Sequence, residues 1–189
     1  QKSTVDTLEA LEYYINGADQ TQVGNFDDAI TEYQKALDLK PEMLHPQIGI
    51  GYAYLASGDL DNARLSFERS CELDPNSPEA HSGLGWVYLQ QANNDLAGRE
   101  FEESLRLAPQ NLDGHLGMGW IHYRKGNYSL AAREFQEALQ LDPQNLDGHL
   151  GMGWVYLNQF EMKKSQEEFE KVIVLSPDFA EAHFGLGTI

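Results

Sequence analysis

The stretch Pro109–Trp120, PQNLDGHLGMGW, recurs letter for letter at Pro143–Trp154, an offset of 34 residues. A true repeat keeps its physically demanding residues in phase along the chain. Divided into units of 34 that begin at Ala10, Leu44, Pro78, Leu112, Leu146 and Ala180, this sequence does so. Position 8 of each unit is Gly17, Gly51, Gly85, Gly119, Gly153 and Gly187, and position 32 is Pro41, Pro75, Pro109, Pro143 and Pro177. Position 20 is Ala29, Ala63, Ala97, Ala131 and Ser165, while position 24 is aromatic throughout: Tyr33, Phe67, Phe101, Phe135 and Phe169.

With small, aromatic and proline residues at these fixed offsets, the chain resembles the tetratricopeptide repeat (TPR) family over Ala10–Ile189. The resemblance implies an all-α fold, a right-handed α-solenoid of stacked antiparallel helix pairs. In that family positions 8 and 20 lie where the two helices of a unit cross closely, and the proline at position 32 ends the second helix. Residues 1–189 are expected to form a single array, with units 10–43, 44–77, 78–111, 112–145 and 146–179, a partial unit 180–189, and residues 1–9 extending the first helix. The family is a scaffold with many partners, so the resemblance says much about fold and little about function.

Thirty Asp and Glu against 13 Lys and Arg give a formal charge of −17. A phosphate backbone or an anionic membrane would be repelled by such a surface, so a nucleic-acid partner is not expected. The single cysteine, Cys71, excludes an internal disulfide framework and a cysteine-based zinc site; at position 28 it reads as packing. No apolar run approaches the roughly 20 residues of a membrane helix, so no membrane insertion is expected. No signal peptide is evident, but the chain begins at Gln1 rather than Met. The compartment stays open between cytoplasm and periplasm.

Local signals refine the units. Ser3 with Asp6 has the form of a capping box, opening a helix over Thr4–Gln22. The polar pair Asn16 and Gln20, where later units are largely apolar, suits an N-terminal cap. Gly58 can close one helix in the left-handed conformation with Asp59 capping the next, and Ser77 with Pro78 launches the third unit. Ala92 and Phe160 replace the turn glycine, so Asn93-Asn94 are expected to supply one turn, and the turn at Phe160 to depart most from the pattern. In the last ten residues Phe184, Leu186 and Ile189 have nothing to cover them, which implies that the natural chain continues or that this end docks on another chain.

Glycine also holds position 6, as Gly49, Gly83, Gly117, Gly151 and Gly185. Two glycines inside a helix cost roughly 2 kcal/mol relative to alanine, so close helix contact must offset them and stability must reside between units. Gly119→Leu should then disrupt the array by overpacking.

The resemblance places a partner groove on the first helix of each unit, mainly at positions 2, 5, 9, 12 and 13. Position 9 reads Ala18, Tyr52, Trp86, Trp120, Trp154 and Thr188, so all three tryptophans fall there. Positions 5 and 12 add Tyr14, Ile48, Leu55, Leu89, Leu116, Tyr123, Leu150 and Leu157 as apolar ridges, and Arg124 and Asn158 stand at position 13. Tyr14, Tyr52, Trp86, Trp120, Tyr123, Arg124, Trp154, Leu157 and Asn158 are therefore the candidate partner-binding residues. Tryptophan and tyrosine dominate binding hot spots, although aromatics at helical spacing also cover seams in cores. Only Arg124 and Asn158 at position 13 could meet a carboxylate, which argues against a clamp for acidic chaperone tails. Glu79, Asp113, Asp147 and Glu181 at position 2 form an acidic rim, so an apolar protein or peptide partner with some positive charge fits best.

Histidine recurs at position 4 as His81, His115, His149 and His183. Metal ligands converge on one ion at about 2 Å, whereas neighbouring helices stand about 8–10 Å apart, so these rings read as packing and hydrogen-bonding residues; His122 reads likewise. No metal site, cofactor or catalytic motif of the HExxH, GxSxG or GxxxxGK[ST] kind is present in the sequence. The expected function is a non-catalytic protein-protein interaction scaffold. The alternative is a structural part of a larger assembly, either self-associating through uncapped ends or serving an envelope or polysaccharide-export machine.

Overall fold

The structure, a computed structural model, describes residues 2–189 and their side chains from Thr4 onward, and it falls into two compact units, Gln1–Leu107 and Ala108–Ile189. The described residues form eleven helices and no strand. The first unit holds α1 (Lys2–Gln22), α2 (Phe26–Leu39), α3 (Leu44–Ser57), α4 (Leu60–Leu73), α5 (Pro78–Gln90) and α6 (Asn94–Leu107). The second holds α7 (Leu112–Arg124), α8 (Tyr128–Leu141), α9 (Leu146–Asn158), α10 (Met162–Leu175) and α11 (Ala180–Gly187). In each unit a helix packs on the one before and the one after, and first helices also touch: α1 with α3, α3 with α5, α7 with α9, and α9 with α11. The all-α repeat architecture read from the sequence is present. The expected Ser3–Asp6 capping box lies outside the described residues, because the Ser3 side chain is not among them.

The second helices are amphipathic at helical spacing. Ala63, Phe67 and Ser70 of α4 are fully buried, as are Ala131, Phe135 and Ala138 of α8. The rings at position 24 explain the double glycines. An added Cβ at Gly119 would stand 2.6 Å from Phe135 Cε1, and one at Gly51 would stand 2.7 Å from Phe67 Cε1. The same rings press on the position-6 glycine of the following repeat, Phe67 on Gly83, Phe135 on Gly151 and Phe169 on Gly185. One aromatic side chain thus fills the crossing within a repeat and the crossing to the next.

Histidine at position 4 ties the repeats together. His81 Nδ1 lies 2.8 Å from Glu100 Oε2 and its Nε2 3.1 Å from the Pro75 carbonyl. His115 repeats this with Glu134 and Pro109 at 2.8 and 3.0 Å, and His149 with Glu168 and Pro143 at 2.6 and 3.0 Å. Each ring therefore stands between a carboxylate on the second helix of its own repeat and a carbonyl in the preceding loop, with one ring nitrogen within hydrogen-bond distance of each. This is the hydrogen-bonding role expected of these residues. His122 differs: its Nδ1 is buried without a hydrogen-bond partner.

Capping follows the sequence where the unpaired N–H donors of a helix start meet Asp, Ser or Asn. Asp59, Ser77, Asn111 and Asn145 each accept from the backbone N–H three residues on. The turns after α5 and α9 correct the reading of Ala92 and Phe160. Ala92 (φ 60°) and Phe160 (φ 62°) take the left-handed conformation themselves, as Gly58 does (φ 82°). The closing hydrogen bonds are also alike, from Gly58 N to Leu55 O (3.2 Å), Ala92 N to Leu89 O (3.1 Å) and Phe160 N to Leu157 O (3.1 Å). Packing on both sides fixes this turn, and the local residue bears the strain. Asn93 does not replace the glycine; its Oδ1 caps α6 through Leu96 N at 3.3 Å.

The outer face of α1 is less polar than a cap should be. Asn16 is exposed as expected, but Val5, Leu8, Leu11 and Ile15 are exposed beside it. At the other end Phe184 and Ile189 are exposed and Leu186 is half-buried.

Two substitutions test this account through urea melts. Gly119→Ala should destabilise by about 1–3 kcal/mol through contact with Phe135, although helix propensity alone would have it stabilise by about 1 kcal/mol. Phe160→Gly should stabilise by up to about 1 kcal/mol, since it removes left-handed strain from a side chain with 83% of its surface exposed. A Gly119→Ala variant as stable as the parent would show that the ring does not fill the crossing.

Candidate functional site

The position-9 aromatics are built on the buried rings. Tyr52 stands edge-on to Phe67 (centroids 5.0 Å, 80°), Trp86 to Phe101 (5.2 Å, 77°), Trp120 to Phe135 (5.2 Å, 73°) and Trp154 to Phe169 (5.1 Å, 71°). These are favourable edge-to-face pairs. All four outer rings are half-buried, neither sealed between helices nor free of them. Each covers a seam and still presents a face to solvent.

In the first unit Tyr14 lies 6.0 Å from Tyr33 and 6.1 Å from His45, and the Tyr52 hydroxyl is 3.5 Å from Ser82 Oγ. In the second unit the aromatics are more closely knit. Trp120 meets Tyr123 at 5.8 Å and 88°, Tyr123 meets Tyr128 at 5.7 Å, and Trp154 meets Phe184 at 6.0 Å. Trp120 and Trp154 pack against one cluster that includes Leu150, Phe169 and Val172. Leu157 is half-buried beside them, and Arg124 is exposed.

Three expectations change. The ridge residues Ile48, Leu89, Leu116 and Leu150 are at most 8% exposed, so they belong to the core beneath the site rather than to its surface. Asn158 is not available to a ligand carboxylate: its Nδ2 donates to Tyr123 Oη (2.9 Å) and to the Trp154 carbonyl (2.9 Å), and its Oδ1 accepts from Tyr128 Oη (3.1 Å). It acts as a clasp across α7, α8 and α9. Tyr128 and Phe184 join the site without having been singled out for it. Tyr128 opens a second helix at a position that is Phe26, Leu60, Asn94 and Met162 elsewhere, so no recurrence marks it.

Electrostatics distinguish the rim of the second unit. Asp147, the second residue of α9, is exposed at its surface yet partly desolvated by the chain around it. Partial desolvation raises its pKa above 3.8, and the nearby Asp113 and Glu181 carboxylates raise it further. Cys71 is inert at neutral pH, because burial and then Glu100, Glu68 and Asp74 push its thiol up to about 11. Among the described residues no group of three His, Cys, Asp or Glu side chains is arranged to hold a metal. No described helix is long and apolar enough to cross a membrane.

Because the folded pKa of Asp147 lies above its unfolded value, ionising it weakens the fold. Asp147→Asn should therefore raise the urea midpoint at pH 7, and the gain should shrink as pH falls through the folded pKa towards 3.8. A gain that is absent at pH 7, or that persists unchanged at pH 3, would contradict this desolvation.

No curated protein matches the chain in sequence. Among solved structures it resembles TTC0263, a thermophilic TPR protein in Thermus thermophilus, at 15% identity and a TM-score of 0.81 over 95% of this chain and 97% of that one. It also resembles the APC/C hetero-tetramer Cut9-Hcn1, at 18% identity and a TM-score of 0.89, over 95% of this chain and 36% of that one. A third is YrrB, described as a TPR protein with an unusual peptide-binding site, at 21% identity and a TM-score of 0.58 over 93% and 90% of the two chains. At these identities the likeness is one of fold. Family profiles described as TPR repeat or tetratricopeptide repeat match residues 20–43, 51–92, 82–145 and 122–186. With its glycine and aromatic positions in phase and its helices paired as described, the chain belongs to the tetratricopeptide repeat family.

Proposed function

We propose that this chain is a non-catalytic scaffold that binds a segment of another protein on the first-helix faces of its repeats. Tyr14, Tyr52 and Trp86 serve in the first unit, and Trp120, Tyr123, Arg124, Trp154 and Leu157 in the second, with Asn158 holding the tyrosines in place. The observation that carries this reading is the half-exposed ring fixed edge-on over a buried phenylalanine in four repeats. Such rings are held before a ligand arrives, which lowers the ordering cost of binding. YrrB, a structure of the same fold, is described as having a peptide-binding site, which fits this reading. The net charge of −17 and the acidic rim favour an apolar partner with positive charge over a nucleic acid.

A structural role through self-association has its own support in the exposed apolar residues Val5, Leu8, Leu11 and Ile15 on α1 and Phe184 on α11. Light scattering that rises with protein concentration would favour it.

Tryptophan fluorescence tests the binding reading. Pools of synthetic peptides that combine apolar and basic residues should shift the emission and protect it from a soluble quencher, and Trp154→Phe should reduce the response. Emission that moves with oligosaccharides alone, or with no pool, would overturn the proposal.

A further inference from the structure

The helices α7 and α9 begin with the same nine residues, Leu112–Trp120 and Leu146–Trp154, and they lie side by side. The second unit therefore offers one set of side chains twice: Asp113 and Trp120, then Asp147 and Trp154. Within each set carboxylate and indole are seven residues apart, about 10 Å along the helix and on one face of it. Helix α11 packs on α9 and adds Glu181 to the carboxylate row and Phe184 beside Trp154. Across α7 and α9 the result is two rows, one acidic and one aromatic, each expected to advance by one helix spacing of about 8–10 Å; on α11 Glu181 continues the acidic row, while Phe184 closes on Trp154 at 6.0 Å.

A ligand that lies across these helices must repeat its own side chains at that interval. A β-strand returns to the same face every two residues, about 7 Å, and loses phase. An α-helix returns every 5.4 Å turn, and with side chains it is about 10 Å or more across, too broad for rows only about 10 Å apart. A polyproline-II segment has three residues per turn and rises 3.1 Å per residue, so one face recurs about every 9.3 Å. It is also slender and already extended in solution, and proline rings dock well on aromatic-lined surfaces.

We infer that the α7–α9–α11 face of the second unit binds a polyproline-II segment of a partner protein that carries a basic residue at every third position. The basic side chains meet Asp113, Asp147 and Glu181, and the intervening prolines lie against Trp120 and Trp154. Charge complementarity supplies the sign of the partner: Asp113, Asp147 and Glu181 start three helices that pack in succession, α7 on α9 and α9 on α11, and an incoming cation relieves the repulsion that Asp113 and Glu181 exert on Asp147. The inference rests on the peptide-binding reading above and adds the conformation, spacing and charge of the ligand.

Two nine-residue peptides of identical composition decide it, Pro-Lys-Pro-Pro-Lys-Pro-Pro-Lys-Pro and Pro-Pro-Pro-Lys-Lys-Lys-Pro-Pro-Pro, titrated into the full chain at low salt by tryptophan fluorescence and calorimetry. The period-three peptide should bind about tenfold more tightly, the equivalent of 1.4 kcal/mol. Asp147→Asn, expected to be the more stable protein, should weaken that peptide by roughly threefold or more and leave the clustered one almost unchanged. Equal affinity for the two peptides, or an Asp147→Asn variant that binds the periodic one as well as the parent does, would overturn the inference. In that case the broader proposal survives if any apolar and basic pool moves the indole emission, and it falls with the inference if none does.

Discussion

The fold depends on one contact: an aromatic ring on the second helix wedged against glycine on the first helix of its own repeat and, in both units, of the repeat that follows. Both glycines are poor helix formers, and their cost is recovered only when the ring fills the space that their missing side chains leave. A repeat on its own would carry the helix penalty without the second contact, so cohesion lies between neighbours rather than within each hairpin. The same ring supports the half-exposed aromatic at position 9, which makes the surface of the site an outward extension of the core.

Much of this was legible in the sequence because the demanding residues recur. Gly at positions 6 and 8, the aromatic at 24 and the proline at 32 fixed helix count, pairing and crossing points, and His at position 4 was readable as a packing residue. The caps at Asp59 and Ser77 followed from local chemistry. Ala92 and Phe160 were misread for an instructive reason: local preference predicted a changed turn, but the flanking helices impose the left-handed conformation on whatever residue stands there. Tertiary demand overrode propensity at both sites.

The site was less legible. Position 9 identified the tryptophans, yet periodicity cannot say how much of a ring remains exposed, and it assigned to the surface leucines that the structure buries. Asn158 looked like a free polar group because the sequence does not reveal that Tyr123 and Tyr128 converge on it. Contacts that occur once in a repeat protein leave no periodic trace, whereas those made in every repeat do.

The histidine bridges reach only 6 and 19 residues along the chain, to a loop carbonyl and to a carboxylate on the next helix. Short loops of this kind close quickly and cost little chain entropy. Each bridge can form as soon as its own hairpin has been made, without waiting for distant segments. During synthesis on a ribosome, emerging repeats could thus lock in order, each finished pair serving as the template on which the following one is laid down.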